Sequence, residues 1–170
     1  MTLIVETGTA SSTSEAFASV AYCDTYHANM GNAAWALLST ANKETALRRA
    51  TMFMQQCYRL QWKGTRVLST QALDWPRYGV EVPDLGYLNA IYPDTVPDLV
   101  VRANAELALL ASAAALNPDL SQAVLSVQVG PIKKTYDQNS PQAKRYVAVT
   151  DMLRPLLGSS SATNYKLQRV

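Results

Sequence analysis

His27 is the chain's one histidine, and it stands four residues after Cys23. On a helix that spacing puts thiol and imidazole on one face, the raw material for a thiol nucleophile and its base. Two groups on one helix supply no oxyanion hole, so a hydrogen-bonded core histidine is the simpler reading. Cys57 is isolated, and neither cysteine has CxxC spacing, which fits buried, reduced thiols. Asp74, Asp84, Asp94 and Asp98 lie beside turn residues, where caps and turns explain them better than a paired acid and base. One His, two separated Cys and scattered carboxylates match no metal-ligand pattern. Seven glycines form neither GxGxxG nor GxxxxGK[ST], so no phosphate cradle is present. No enzyme, metal or cofactor is expected.

A second group of residues suits binding. Arg59, Trp62, Lys63, Arg66, Trp75 and Arg77 interleave large rings with cations, a pattern that stacks on single-stranded nucleic acid. The same residue types anchor protein interfaces, and they could equally pack inside the chain. Of the three readings the interface is favoured, with Trp62, Arg66, Trp75 and Arg77 as its residues. The segment after Gly158 opens with Gly and Ser, then carries Tyr165, Lys166, Leu167, Arg169 and Val170. It is either a frayed tail or a docking arm for a partner, and the anchors favour the arm.

The elements that must hold these residues follow from periodicity. Thr2–Glu6 reads as a short strand or extended arm, closed by Gly8. Ser19 caps a first helix over about 20–30, ended by Gly31-Asn32. A second helix spans about 42–59, with Leu47, Ala50, Met54 and Cys57 in one stripe. Residues 60–94 hold no long periodic segment, and a loop of that length is usually functional. Pro97 opens a third helix to about 116, with Val100, Ala103, Leu107, Leu110 and Ala114 inward and an Arg102–Glu106 pair. Val124–Val129 and Ile132–Tyr136 flank Gly130-Pro131 as a β-hairpin, with Val127, Val129 and Ile132 on offer to another chain or to the N-terminal run. A last helix covers about 142–157, with Tyr146, Val149, Leu153 and Leu156 on one face.

The fold class is therefore mainly α: four helices, a β-ribbon over 124–136 and extended N- and C-terminal arms. One domain, 1–157, is followed by the arm 158–170. At 170 residues and 48% hydrophobic composition, the chain can bury a core of its own. Charged residues are 16% of the chain, below the roughly 25% of ordinary soluble proteins, which suits a subunit covered by other protein. A net charge of +2 is far from the footprint of a dedicated nucleic-acid binder. Met1–Glu6 lacks the basic start and apolar run of a signal peptide, and no stretch reaches the roughly 20 apolar residues that span a bilayer. Synthesis in a cytoplasm without membrane contact is expected.

Several blocks resemble a known family: Met1–Gly8, the helix from Ser19 to His27 with Gly31-Asn32, Trp62-Lys63-Gly64-Thr65-Arg66, and Gln71-Ala72-Leu73-Asp74-Trp75-Pro76-Arg77. Val96-Pro97, Ala105–Ala108 and Val129–Ile132 add to them. Together they resemble tailed-bacteriophage proteins often labelled DnaT-like single-stranded DNA-binding, which are similar to head-to-tail adaptor (connector) proteins. The label implies a replication-type single-strand binder. The adaptor likeness implies a structural virion protein at the head–tail interface, assembled in the host cytoplasm. It would form a ring, usually of twelve copies, beneath the portal, extend the DNA channel and carry the tail or nozzle proteins. Genomic DNA in that channel would be touched without regard to sequence. Within that likeness the arm, Tyr165 to Val170, would meet the portal, and the loop and ribbon would meet other subunits or the tail. The adaptor is the favoured expectation and the single-strand binder its alternative.

Overall fold

A computed structural model describes residues 2–82, 90–118, 124–128, 133–136 and 144–158. The described chain is helix-rich, with small two-stranded antiparallel sheets. Helix α1 (Val20–Asn29) begins at Ser19, whose side chain accepts from the Tyr22 N–H. Helix α2 (Ala33–Ala36) is a single turn. Helix α3 (Thr40–Tyr58) begins at Ser39, which caps Asn42 in the same way. Strands β1 (Thr65–Arg66) and β2 (Arg77–Tyr78) pair, as do β3 (Val80–Glu81) and β4 (Ala90–Ile91). Helix α4 (Asp98–Ala113) follows Pro97. Strands β5 (Val124–Gln128) and β6 (Lys133–Tyr136) form a ribbon, and α5 (Val147–Leu153) runs into a 3-10 turn at Arg154–Leu156.

The core lies where α3 packs along α4 and α5 closes over them. Leu47, Ala50 and Met54 from α3 meet Val100, Leu107 and Ala111 from α4, with Leu153 and Leu156 above. Phe53 meets Tyr146 edge-on at 5.3 Å. One polar clasp sits in this core. Asn104, fully buried, accepts the Ala18 N–H at 3.1 Å and donates to Thr51 Oγ1 at 3.0 Å. It ties the segment before α1 to both long helices.

Four details depart from expectation. The third helix stops at Ala113, not about 116, because Ala114 turns extended and Leu116 folds back into the core, its carbonyl taking the Tyr146 hydroxyl. Leu110 therefore stays on the exposed side of the stripe, and Asn104 and Ala108 take inward positions. Arg102 pairs with Asp98, one turn back, instead of Glu106, whose carboxylate accepts the Tyr26 hydroxyl at 2.8 Å. The last helix is shorter than 142–157: residues 144–146 precede it without helical structure, and Pro155, which has no N–H to give, tightens its end to 3-10.

The N-terminal run is extended in backbone, but it lies against the body instead of reaching out as an arm. Val5 bridges Ala16, and the Glu6 N–H donates to the Ala16 carbonyl at 2.9 Å. Glu6 is buried, and its carboxylate gathers the N–H groups of Gly8, Ala10 and Ser11 and the Ser14 hydroxyl. Those charge-assisted bonds hold Ala10 at φ 55°, a conformation that non-glycine residues seldom adopt. Gly8 is required here, since a Cβ would stand 1.8 Å from the Asp94 carbonyl oxygen. The β5–β6 register matches the expected hairpin, but among the described residues its partner is neither the N-terminal run nor a third strand. Val129, Ile132 and the arm residues Tyr165, Lys166, Leu167, Arg169 and Val170 lie outside the described residues.

Candidate nucleic-acid and protein interface

The segment expected to bind is built around one guanidinium. Arg77 is buried, and its Nε donates to the Lys63 carbonyl at 2.7 Å, its Nη1 to that of Asp74 and its Nη2 to that of Gly64. Burial pushes its pKa down, while nearby Asp74 works the other way. Gln71 fastens the same turn, donating to the carbonyls of Leu73 and Pro76 while accepting the Leu68 N–H. Gly64 has φ +66°, and a Cβ there would meet the Tyr78 carbonyl at 2.2 Å, so glycine lets β1 and β2 close. The Trp75–Pro76 peptide bond is cis.

Inside this frame the rings face inward. Trp62 and Trp75 are buried and meet edge-to-face at 5.7 Å, with Tyr58 packed on Trp62 at 5.8 Å. Trp62 Nε1, Trp75 Nε1 and Asp74 Oδ2 find no hydrogen-bond partner there, so ring packing holds this knot more than polar pairing does. The expectation that Trp62, Trp75 and Arg77 present themselves to another molecule is therefore corrected. They hold a structural centre, because two tryptophans this close to the α3–α5 core gain more from burial than from exposure. Most of the cations are engaged as well. Lys63 Nζ donates to the carbonyls of Glu81 and Pro155, and Arg59 pairs with Asp74 at 2.9 Å.

What this frame exposes was not read from the sequence. Tyr78, on β2, is 66% exposed, and Tyr92, just past β4, stands out similarly. Thr65, Tyr78's cross-strand partner, is exposed too, and Arg66 beside it keeps an exposed guanidinium that donates to the Gln71 carbonyl. Val67 and Leu68 continue this outer surface. A signal did exist: Tyr78 follows the Arg77 that must turn inward, and neighbours on a strand point to opposite faces.

The thiol–imidazole possibility dissolves in the same way. His27 is buried, with Nε2 facing the Ala105 carbonyl at 3.2 Å and Nδ1 facing the Asn32 amide at 3.1 Å. A carbonyl can only accept, so Nε2 carries the proton and Nδ1 receives one from Asn32. Both nitrogens are spent on structure, and burial lowers the imidazole pKa. Burial drives the Cys23 thiol up to about 12, and raises that of half-buried Cys57. Neither is a poised thiolate. Asp74 lies in a bend, as expected, and its buried carboxylate also pairs with Arg59. Among the described residues no cluster of His, Cys, Asp and Glu could hold a metal ion, and no helix is long and apolar enough to cross a membrane.

No curated protein and no solved structure matches this chain. A family model described as "Putative DnaT-like ssDNA binding protein" matches residues 1–170, its whole length. The chain belongs to that DnaT-like single-stranded DNA-binding family.

Proposed function

We propose that this protein acts by binding, without a catalytic step, and that single-stranded DNA is its ligand. The match of the whole chain to a family so described carries the reading. The residues that suit it are Tyr78, exposed on the outer side of β1 and β2 beside Thr65, and Arg66, exposed at the ribbon although it pairs with Arg77 in the register, with Tyr92 beyond β4. An exposed ring can stack a base of any identity, worth roughly 1–3 kcal/mol, and an adjacent guanidinium can neutralise a phosphate without reading sequence. The fluorescence anisotropy of a labelled oligo-dT in low salt tests this. Replacing Tyr78 with Ser and Arg66 with Ser should weaken binding about tenfold or more, and a chain that leaves the oligonucleotide free at every concentration overturns the proposal. Trp62 and Trp75 are unsuitable for such a test, since truncating either would open the core.

A second reading, the head-to-tail adaptor, is favoured by a different observation. Leu37 is 87% exposed and Leu60 97% exposed, on a chain with few charges to keep it apart from its neighbours. A ring, of twelve copies in this reading, would cover such side chains with heterologous contacts that close on themselves. The ribbon of Val127, Val129 and Ile132 would then reach adjacent subunits or tail proteins, and the arm from Tyr165 to Val170 the portal. The protein would act in the virion, at the head–tail interface. Electron microscopy of the protein mixed with a purified portal tests this, and a preparation in which the two never associate counts against it.

A further inference from the structure

Helix α3 has the Arg66 segment along one flank and a cleft along the other. On the first flank Gln55 Nε2 donates to the Ala72 carbonyl at 2.9 Å, and Arg59 pairs with Asp74 at 2.9 Å. Arg66 grips the start of the same stretch through the Gln71 carbonyl at 3.3 Å. Residues 71–74 therefore hold both guanidinium groups beside α3. On the second flank a cleft of about 450 Å³ opens between α3 and the end of α4. Phe53 and Leu116 are its buried apolar floor, and Met52, 55% exposed, is its edge. Arg49, Gln56 and Asn117 give it a polar rim.

Between the two flanks the helix is uncovered. Arg49, Met52, Gln56 and Arg59 are all exposed, and their spacing of three, four and three residues keeps them on one face. From Arg49 to Arg59 this face runs about 15 Å along the axis. Its charge has one sign. Asp74 is buried under Arg59, whose side chain stays 49% exposed, and Glu44 is taken up by Arg48. Among the described residues no carboxylate pairs with Arg49. Set against another copy, the face would oppose guanidinium to guanidinium, whereas a polyanion complements it. Among polyanions only an unpaired strand also has free bases to place on an apolar floor, since a duplex keeps its bases stacked within the helix.

We propose that a single strand held at Arg66 continues over Arg59 and crosses the exposed face of α3, setting one base in the α3–α4 cleft against Met52 and Phe53. Arg49 then meets the phosphate beside that base, and Gln56 and Asn117 face its edges. The inference rests on the single-strand reading and extends the contact surface from the ribbon to the far side of α3.

Methionine oxidation locates the strand, because Met30 is a matched control at 58% exposure on a different element. The full chain is treated with dilute hydrogen peroxide, with and without a saturating oligo-dT of about 20 nucleotides, and sulfoxide at each methionine is followed by mass spectrometry. The oligonucleotide should slow Met52 about fivefold or more and leave Met30 unchanged. Arg49→Ser should weaken binding about threefold or more in low salt, a loss that shrinks as salt rises. An oligonucleotide that never binds overturns the single-strand reading and this inference with it. Binding that needs Tyr78 but leaves Met52 oxidising as in the free protein, or that ignores Arg49→Ser, overturns the inference alone. Equal protection by a duplex does so too, because paired bases cannot enter the cleft. So does protection that grows with protein concentration in the absence of DNA, which would place a second copy there.

Discussion

Burying an imidazole with both nitrogens committed gives acid a specific point of attack. Protonated His27 would have two donors, and the Asn32 amide would then face a second N–H in place of an acceptor. Its pKa is lowered in the folded state, first by burial and against the opposing pull of the Ala105 carbonyl, Glu106 and Asp24. The sign follows from that direction. In the unfolded chain the imidazole takes up its proton near 6.5, and the folded chain resists until lower pH. The unfolded state therefore binds more protons between those values, and stability falls as pH drops below about 6.5. His27→Gln removes this group and keeps a donor for the Ala105 carbonyl. The variant should be less stable near neutrality, by about 1–3 kcal/mol for a disturbed buried hydrogen bond. Its urea midpoint should fall less than that of the unaltered protein between pH 7.5 and 5.5. Equal losses over this range would show that the carboxylates, not His27, govern the acid limb. Both proteins keep the same carboxylates, so the difference isolates the imidazole.

Between elements, the buried clasp of Asn104 does what apolar packing cannot, by fixing the depth at which the segment before α1 meets α3 and α4. Asn104→Ala leaves the Ala18 N–H without a partner in a site closed to water, while the Thr51 hydroxyl loses one donor but keeps the Leu47 carbonyl. That orphan costs about 1–3 kcal/mol, so a loss of this size is expected in urea unfolding, where Leu110→Ala on the exposed side of α4 should lose far less. A small loss for Asn104→Ala would mean that water reaches the site. This clasp also marks the limit of what the sequence discloses. The cores of α1, α3 and α4 were legible because their apolar residues recur with helical period, and Ser19 and Pro97 announce the starts of α1 and α4. Asn104 sits within the same stripe as a polar residue, and its partners are 86 and 53 positions away. Helix α2 is one turn, too short for a period to show, and Trp35 gives it purpose by donating to Asp24 across from α1. Glu6 looked like the end of a strand, whereas its meaning lies in Gly8, Ala10, Ser11 and Ser14, which fold around its carboxylate. The binding residues were misjudged for a related reason. Large rings and cations signal interface and core alike, and only the three carbonyls around Arg77 decide between them.

At the scale of the molecule, charge separates the two functional readings. A net charge of +2 gives no strong field to gather a polyanion, so single-strand binding must come from local contacts. Among the described residues near Tyr78, Arg66 and half-exposed Arg59 are the cations best placed for phosphates. Two or so neutralised phosphates give a slope of about −1.4 for log affinity against log salt on single strands. Anisotropy titrations across a series of salt concentrations should return a slope near this value, with stacking on Tyr78 supplying the part that salt does not touch. A slope several times steeper would show that the strand runs over a wider basic surface, with Lys166 and Arg169 as the first residues to examine. Self-association through Leu37 and Leu60 should respond in the opposite direction. Apolar burial is strengthened by sulfate, so sedimentation in ammonium sulfate should show larger species as the salt rises, while oligonucleotide binding declines. If both properties weaken together with salt, association is electrostatic, and the exposed leucines have no part in it.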